Sequence, residues 1–304
     1  MAPLGSARVL ITGASGLIGQ ALVLSLKSRG FEVIRLVRGP ASGSDQIQWS
    51  PTRAIPPEAI SGFDAVVHLA GESIVGRWIQ AKKSKIRESR VTSTRNLVQS
   101  LVKAANPPRT LIVASAVGYY GNRDDEILNE KSSPGGGFLA EVCREWEAAS
   151  QPAVDAGIRA VQLRTGIVLS TEGGALKQML LPFRMGVGGR LGSGRQWMSW
   201  IHIQDHVSAV HHILKNDLLQ GPVNMVGPKP VTNAEFTETL GSVLSRPTIF
   251  PVPAFGMKLI FGQMAEEVLL GSQRVEPARL VTSGYPFQYS DLRKALEALL
   301  SRSA

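Results

Sequence analysis

The chain has 304 residues, of which 43% are hydrophobic and 19% charged, a balance that excludes disordered and fibrous proteins. It contains no unbroken apolar run near the roughly 20 residues needed to cross a bilayer, and residues 1–12 lack the long apolar stretch of a signal peptide. The formal net charge is +9, and Cys143 is the single cysteine, so an internal disulfide is excluded and a reducing, cytoplasmic setting is expected.

The first half alternates strand and helix patterns, which predicts a parallel sheet with helices on both faces. Arg8–Thr12 reads as a strand ending in a glycine turn, and 17–29 as a helix stopped at Gly30. Glu32–Val37 is the next strand, and a Gly/Ser/Pro-rich stretch from Gly39 to Gly62 reads as an irregular surface excursion. Residues 64–69 form a third strand. A long helix over 80–105 ends at the breaker Asn106-Pro107-Pro108, followed by a strand at 110–114, a helix at 137–157 and a strand at 159–164.

From about Ser170 the rhythm changes. Glycines 186, 188, 189, 192 and 194 crowd one loop, followed by Trp197, Trp200 and His202, and helices are predicted at 205–215, 233–244, 255–270 and 290–300. Residues 1–170 are therefore expected to form a Rossmann-like dinucleotide domain. Residues 171–304 are read as a smaller, mostly helical lobe that closes over it without independent status. Between Arg77 and Arg109 nine basic residues face Glu88 alone. This is either a solvated helix face or a groove for a small polyanion; nucleic acid is not expected, since no zinc, homeodomain or RNP-type signature accompanies the charge.

The first strand runs into Thr12-Gly13-Ala14-Ser15-Gly16-Leu17-Ile18-Gly19. A glycine triplet between a strand and a helix at βαβ spacing is the context of a dinucleotide turn. Gly13 permits the tight turn, Gly16 lets backbone approach a pyrophosphate, and Gly19 permits close packing. The amides of Ser15, Leu17 and Ile18 at the helix N-terminus suit phosphate oxygens. An acidic residue at the end of the second strand would accept from the ribose of NAD. Here that strand ends Val37-Arg38, with no carboxylate before Asp45, and Arg38 suits a 2′-phosphate. NADP(H) is the expected cofactor.

With TGASGLIG (12–19), HLAGE (68–72), SAVGYYG (115–121) and WIHIQD (200–205) in place, the chain resembles the extended, epimerase-like branch of the short-chain dehydrogenase/reductase superfamily. Over nearly its whole length it is most similar to a poorly characterised epimerase-family subgroup whose tail, here about 250–300, is a domain of unknown function. The resemblance implies that Leu69, Ala70, Gly71 and Glu72 pass close to the adenosine side of the cofactor. It also implies that Arg90 reaches toward it from the basic helix, where Lys83, Arg87 and Arg90 share one face.

Catalysis in that superfamily rests on a serine, a tyrosine and a lysine four residues later. The segment expected to carry Y-x-x-x-K reads Phe138-Leu139-Ala140-Glu141-Val142, and the expected serine falls on Ala116, with Ser115 one place earlier. Tyr119 or Tyr120 could serve as a displaced acid, or His202, Asp205, Arg190 or Arg195 could serve from the second lobe. Each has a structural reading too: Tyr120 as packing, His202 as a core histidine, Asp205 as a helix cap, Cys143 as a small buried residue. Arg190, Arg195, Trp197 and His202 are the expected substrate-side residues. No metal-ligand spacing is present. The expected function is an NADP(H)-dependent oxidoreductase or epimerase-like activity on a small carbonyl or sugar-like compound; the alternative is a catalytically silent NADP(H) sensor or scaffold. Expected partners are NADP(H), an unidentified small-molecule substrate and a second copy of the chain, with no membrane partner.

Overall fold

The computed structural model describes residues 7–301. β1 (Arg8–Thr12) is followed by α1 (Leu17–Ser28), β2 (Glu32–Val37), a short β3 (Gln46–Gln48) and β4 (Ala65–His68). β1 pairs in parallel with β2 on one side and β4 on the other, so Thr12 lies opposite both Leu36 and His68. The strand order reverses at β1, and in open α/β sheets such a switch point opens a crevice at the strands' carboxyl ends.

The sheet has seven parallel strands. Beyond β4 come β5 (Thr110–Ala116), the strand Arg159–Thr165 and, at the edge, Gly221–Met225. Alternate residues of β1 enter opposite cores. Val9 and Ile11 pack with Leu22, Leu26 and Val210, while Leu10 packs with Leu97, Leu101 and Trp146. A strand covered on both faces must be apolar throughout, which is why its pattern does not alternate.

Several expected elements differ. Residues 39–62 are not wholly irregular: Gln46–Gln48 forms the sheet's other edge, and Pro57–Ile60 forms a 3-10 turn. The long basic helix divides into α2 (Gln80–Arg87), a π turn (Glu88–Thr92) and α3 (Ser93–Val102). The helix expected at 137–157 stops as α4 (Phe138–Ala148), then resumes briefly at Gln151–Asp155. The helix expected at 255–270 ends at Phe261, because Gly262 takes a φ of 59° and turns the chain out.

Gly221–Met225 was not among the expected strands. It pairs with Arg159–Thr165 across five residues, so a chain division near 170 separates this strand from the sheet it completes. Its Gly-Pro start and the Asn224 within it hide it in the sequence. The remaining helices surround a separate core of Leu180, Phe183, Trp200, Phe236, Leu240 and Leu296. No helix among the described residues is long and apolar enough to cross a membrane.

Candidate functional site

The carboxyl ends of β1, β2 and β4 enclose a cleft of about 680 Å³. Gly13, Ser15 and Gly16 form its floor, Val37 and Arg38 one wall, and Leu69, Ala70, Gly71 and Glu72 the opposite wall. Gly13 adopts a φ of 69°, and a Cβ there would stand 2.7 Å from the Leu69 carbonyl carbon. A Cβ on Gly19 would stand 2.2 Å from the Gly13 carbonyl oxygen, so this glycine lets α1 close on its own turn. Leu17, Ile18 and Gly19 lie in the first turn of α1, behind the floor, with Leu17 against Gly173 and Gly174.

Asp45, the first carboxylate after the second strand, is already engaged. It accepts from Lys27 Nζ at 2.9 Å and from Arg35 Nη2 at 2.9 Å, and these cations, Lys27 foremost, hold its carboxyl below the usual range. Arg38 is exposed at the rim. Opposite it, Glu72 pairs with Lys82 at 2.8 Å, and that bond, with the charges of Lys85 and Arg38 adding to it, lowers its carboxyl's pKa. The rim thus carries several cations around one carboxylate.

The wall at 69–72 rests on a buried polar relay that sequence reasoning missed. The Thr12 hydroxyl accepts from the amides of Leu69 (3.1 Å) and Ala70 (3.2 Å), which leaves its proton for His68 Nδ1 at 2.7 Å. His68 then carries its proton on Nε2 and donates to Ser93 Oγ at 3.2 Å, and Ser93 donates to the Ser89 carbonyl at 2.6 Å. Ser89 Oγ in turn accepts from the Glu72 amide at 2.9 Å. The π turn is what brings Ser89 to this position. Trp49, from the stretch read as irregular, also lines the cleft.

Burial holds His68 and His206 down to about 4, from an ordinary 6.5. Below pH 6.5 the unfolded chain takes up protons that the folded rings refuse, so stability falls as pH drops from about 6.5 toward about 4 and is constant above that window. The expected loss between pH 7 and 5 is on the order of 2 kcal/mol per ring. Urea midpoints at the two pH values measure it; equal midpoints would mean that the rings are charged in the fold.

Arg90 does not line the cleft. Its guanidinium lies behind Gly71, where a Cβ would meet its Cζ at 3.3 Å, and over the Trp146 ring at 5.2 Å. Its helical companions turn the same way: Lys83 and Arg87 lie over Phe138, and Arg87 meets Glu141 and Glu145. The basic residue that does meet the cleft wall is Lys82, on the neighbouring face.

The helix expected to carry tyrosine and lysine is α4. Phe138 and Val142 pack with Trp78, Ile86 and Met264, and Leu139 touches the same cluster. The pair facing the end of β5 is Leu139 and Cys143: a Cβ on Gly118 would meet Leu139 Cβ at 3.3 Å and Cys143 Sγ at 4.0 Å. Neither residue is a phenol or an amine, and burial pushes the Cys143 thiol up to about 12. The N-terminus of α4 is closed by Glu267, whose two carboxylate oxygens accept from the amides of Phe138 and Leu139 at 2.9 Å each. Glu267→Ala should cost about 1–2 kcal/mol, read as a lower melting temperature, and Glu267→Gln less.

Ser115 and Tyr120 belong to one buried network. Ser115 Oγ donates to Glu147 at 2.7 Å, Glu147 takes a two-pronged pair from Arg164 at 2.9 and 2.8 Å, and Arg164 Nη1 donates to the Tyr120 hydroxyl at 3.0 Å. Tyr120 passes its proton to Asn224 Oδ1 at 2.7 Å; the ring is fully buried, and burial raises its phenol's pKa. Tyr119 is half-buried, with its ring 3.5 Å above the Arg164 guanidinium.

Of the substrate-side candidates, Arg195 and Trp197 line a second cavity of about 820 Å³ with Asn122, Asp124 and Lys258. Trp197 donates to Asp125 at 2.6 Å. Arg190 is exposed outside that lining. His202 is buried, caps the helix Ile203–Lys215 by accepting from the Gln204 amide at 3.1 Å, and stacks on Tyr289 at 3.8 Å. Asp205, expected as that cap, instead accepts from the backbone amides of Gln288 and Tyr289. No metal-binding cluster occurs among the described residues.

A parallel sheet with this switch point and glycine turn defines a Rossmann-like dinucleotide fold, and residues 9–226 match the NAD dependent epimerase/dehydratase family. The chain belongs to that family, and residues 252–299 match a domain of unknown function, DUF1731. It is 44% identical over 295 residues to an epimerase family protein of Mycobacterium tuberculosis, covering 96% of this chain and 97% of that one. The human epimerase family protein SDR39U1, crystallised with NADPH, superposes with a TM-score of 0.89 at 35% identity, covering 97% of this chain and 99% of that one. A nucleoside-diphosphate sugar epimerase of Corynebacterium glutamicum superposes with a TM-score of 0.83 at 39% identity over 98% of this chain and 59% of that one.

Proposed function

We propose that this chain binds NADP(H) in the cleft between β1, β2 and β4 and exchanges hydride with a small, anionic carbonyl or sugar-like compound held by the second lobe on the side of Arg195 and Trp197. The observation that carries the reading is the cleft itself. Its floor leaves no room for a side chain at Gly13, nor does the α1 turn behind it at Gly19; its rim presents Arg38, and Asp45 is occupied by Lys27 and Arg35 rather than free for a ribose. Gly13, Ser15 and Gly16 would hold the pyrophosphate, Arg38 the 2′-phosphate, and 69–72 the adenosine side. The bound dinucleotide supplies hydride chemistry.

In this reading residues 1–170 form the cofactor side and 171–304 the substrate side. The NADPH bound by the human relative supports the cofactor assignment, and the sugar-nucleotide name of the Corynebacterium relative agrees with an anionic substrate. Tyr119 is the proposed proton donor. Its rival Tyr120 is sealed among Arg164, Asn129 and Asn224, and Ser115 is committed to Glu147. Purified protein should release NADP(H) on denaturation and oxidise NADPH with members of a carbonyl and sugar-nucleotide panel, and Tyr119→Phe should abolish that turnover without weakening cofactor binding. Retained NADP(H) with no turnover across the panel would favour a sensor or scaffold instead.

A further inference from the structure

Three separated segments of the chain build one surface. The loop after the helix Gly174–Arg184 is zipped to residues 246–252: Val252 donates to the Arg190 carbonyl at 2.8 Å, Gly192 to the Val252 carbonyl at 2.9 Å, and Arg246 Nε to the Arg184 carbonyl at 2.9 Å. The helix Ala254–Phe261 follows directly, and Arg77 ties the 74–79 segment to it by donating to the Leu259 carbonyl at 2.9 Å.

This surface is apolar to an unusual degree. Phe255, Ile249 and Leu259 are 76%, 75% and 72% exposed. Phe250 and Ile260 extend the same stretch, Leu181 and Met185 stand on the zipped neighbour, and Ile79 stands beside Arg77. Phe255 and Leu259 lie one helical turn apart, so they present together, while Met257 anchors the opposite face. Contiguous exposed patches of this kind mark interaction sites.

The charge on these segments has one sign. No Asp or Glu occurs between Glu72 and Glu88, between Glu172 and Asp205, or between Glu238 and Glu266, whereas those intervals hold eleven Lys and Arg. Lys82, Arg87 and Lys258 have carboxylate partners outside the intervals, but Arg77, Arg184, Arg190 and Arg246 form no ion pair among the described residues.

We propose that this face lies on an anionic lipid surface, with Phe250, Phe255, Leu259 and Ile260 entering the acyl boundary and the arginines meeting headgroups. No helix among the described residues is long and apolar enough to cross a bilayer, and an amphipathic face can rest on one without crossing it. A second copy of the chain fits less well, because a two-fold contact through this face would set cations against cations. The neighbouring face of the same helix carries Ala254 and Lys258, which line the 820 Å³ cavity, so lipid seating would lie at the cavity's edge.

The test is co-sedimentation of the full chain with phosphatidylcholine vesicles, with and without phosphatidylglycerol. Binding should require phosphatidylglycerol and weaken with salt. The bound fraction should fall at least about tenfold in Phe255→Ser/Leu259→Ser and in Arg184→Glu/Arg190→Glu, with circular dichroism and melting unchanged. No binding to either vesicle overturns the proposal, as does equal binding to both. So does self-association in sedimentation velocity that the Phe255→Ser/Leu259→Ser variant removes in the absence of vesicle binding, which assigns the face to a second copy.

Discussion

Arg38→Ala is expected to raise the NADP+ dissociation constant ten- to a hundredfold while leaving that for NAD+ unchanged. The magnitude is that of losing a hydrogen-bonded contact to a charged group, about 1.5–3 kcal/mol. Arg38 stands at the rim opposite Glu72, whose charge is already taken by Lys82, so the residual field at that end of the cleft is positive and suits a phosphate. Because Arg38 is exposed, its contribution should shrink as ionic strength rises. Titration of both cofactors at two salt concentrations measures the effect; an equal loss for NAD+ and NADP+ would remove Arg38 from 2′-phosphate recognition.

The largest stability effect should come from Arg164→Leu. Arg164 is 3% exposed and supports Glu147 by two hydrogen bonds, Tyr120 by a third, and the Tyr119 ring by stacking. Removing it leaves the Glu147 carboxylate, whose side chain is 14% exposed, without its counter-charge, a loss of about 3 kcal/mol. For a chain of this size that is a fall in melting temperature on the order of 10 °C. Arg164→Leu combined with Glu147→Leu should recover part of the loss, since no lone charge is then buried. A double variant as unstable as the sum of its parts would mean that packing, not charge, dominates there.

Much of the cofactor side was legible in the residues. The first two strands match their expected bounds because each is a short stretch dominated by Val, Ile and Leu and set off by a glycine turn. Gly13, Gly16, Val37, Arg38 and 69–72 all line one cleft, since a strand–turn–helix leaves little freedom in where its turn points. Thr12, His68 and Ser93 were not legible as a unit: their hydrogen bonds join positions 25 to 56 residues apart, and no local pattern marks them. Trp49, and the ion pairs that engage Asp45, were hidden for a related reason. They lie in a Gly/Ser/Pro-rich stretch whose short edge strand exists only because β2 offers it a partner.

Helix α4 shows the limit most clearly. Reading α4 from its start set Phe138 and Val142 against the cofactor side, whereas packing rotates the helix so that Leu139 and Cys143 face β5. One residue of register is 100° of helix, and sequence spacing alone does not choose it.

The residues by themselves determined the fold class and the glycine turn, because those follow from local conformational preference and from the spacing of apolar and glycine positions. Tertiary structure decided the rest. It sealed Tyr120 and committed Ser115 to Glu147, turned Arg90 behind Gly71, made His202 a cap, and gathered three distant segments into one apolar, cationic face. Each of these depends on which elements meet in space, and burial and partner choice arise only when they do.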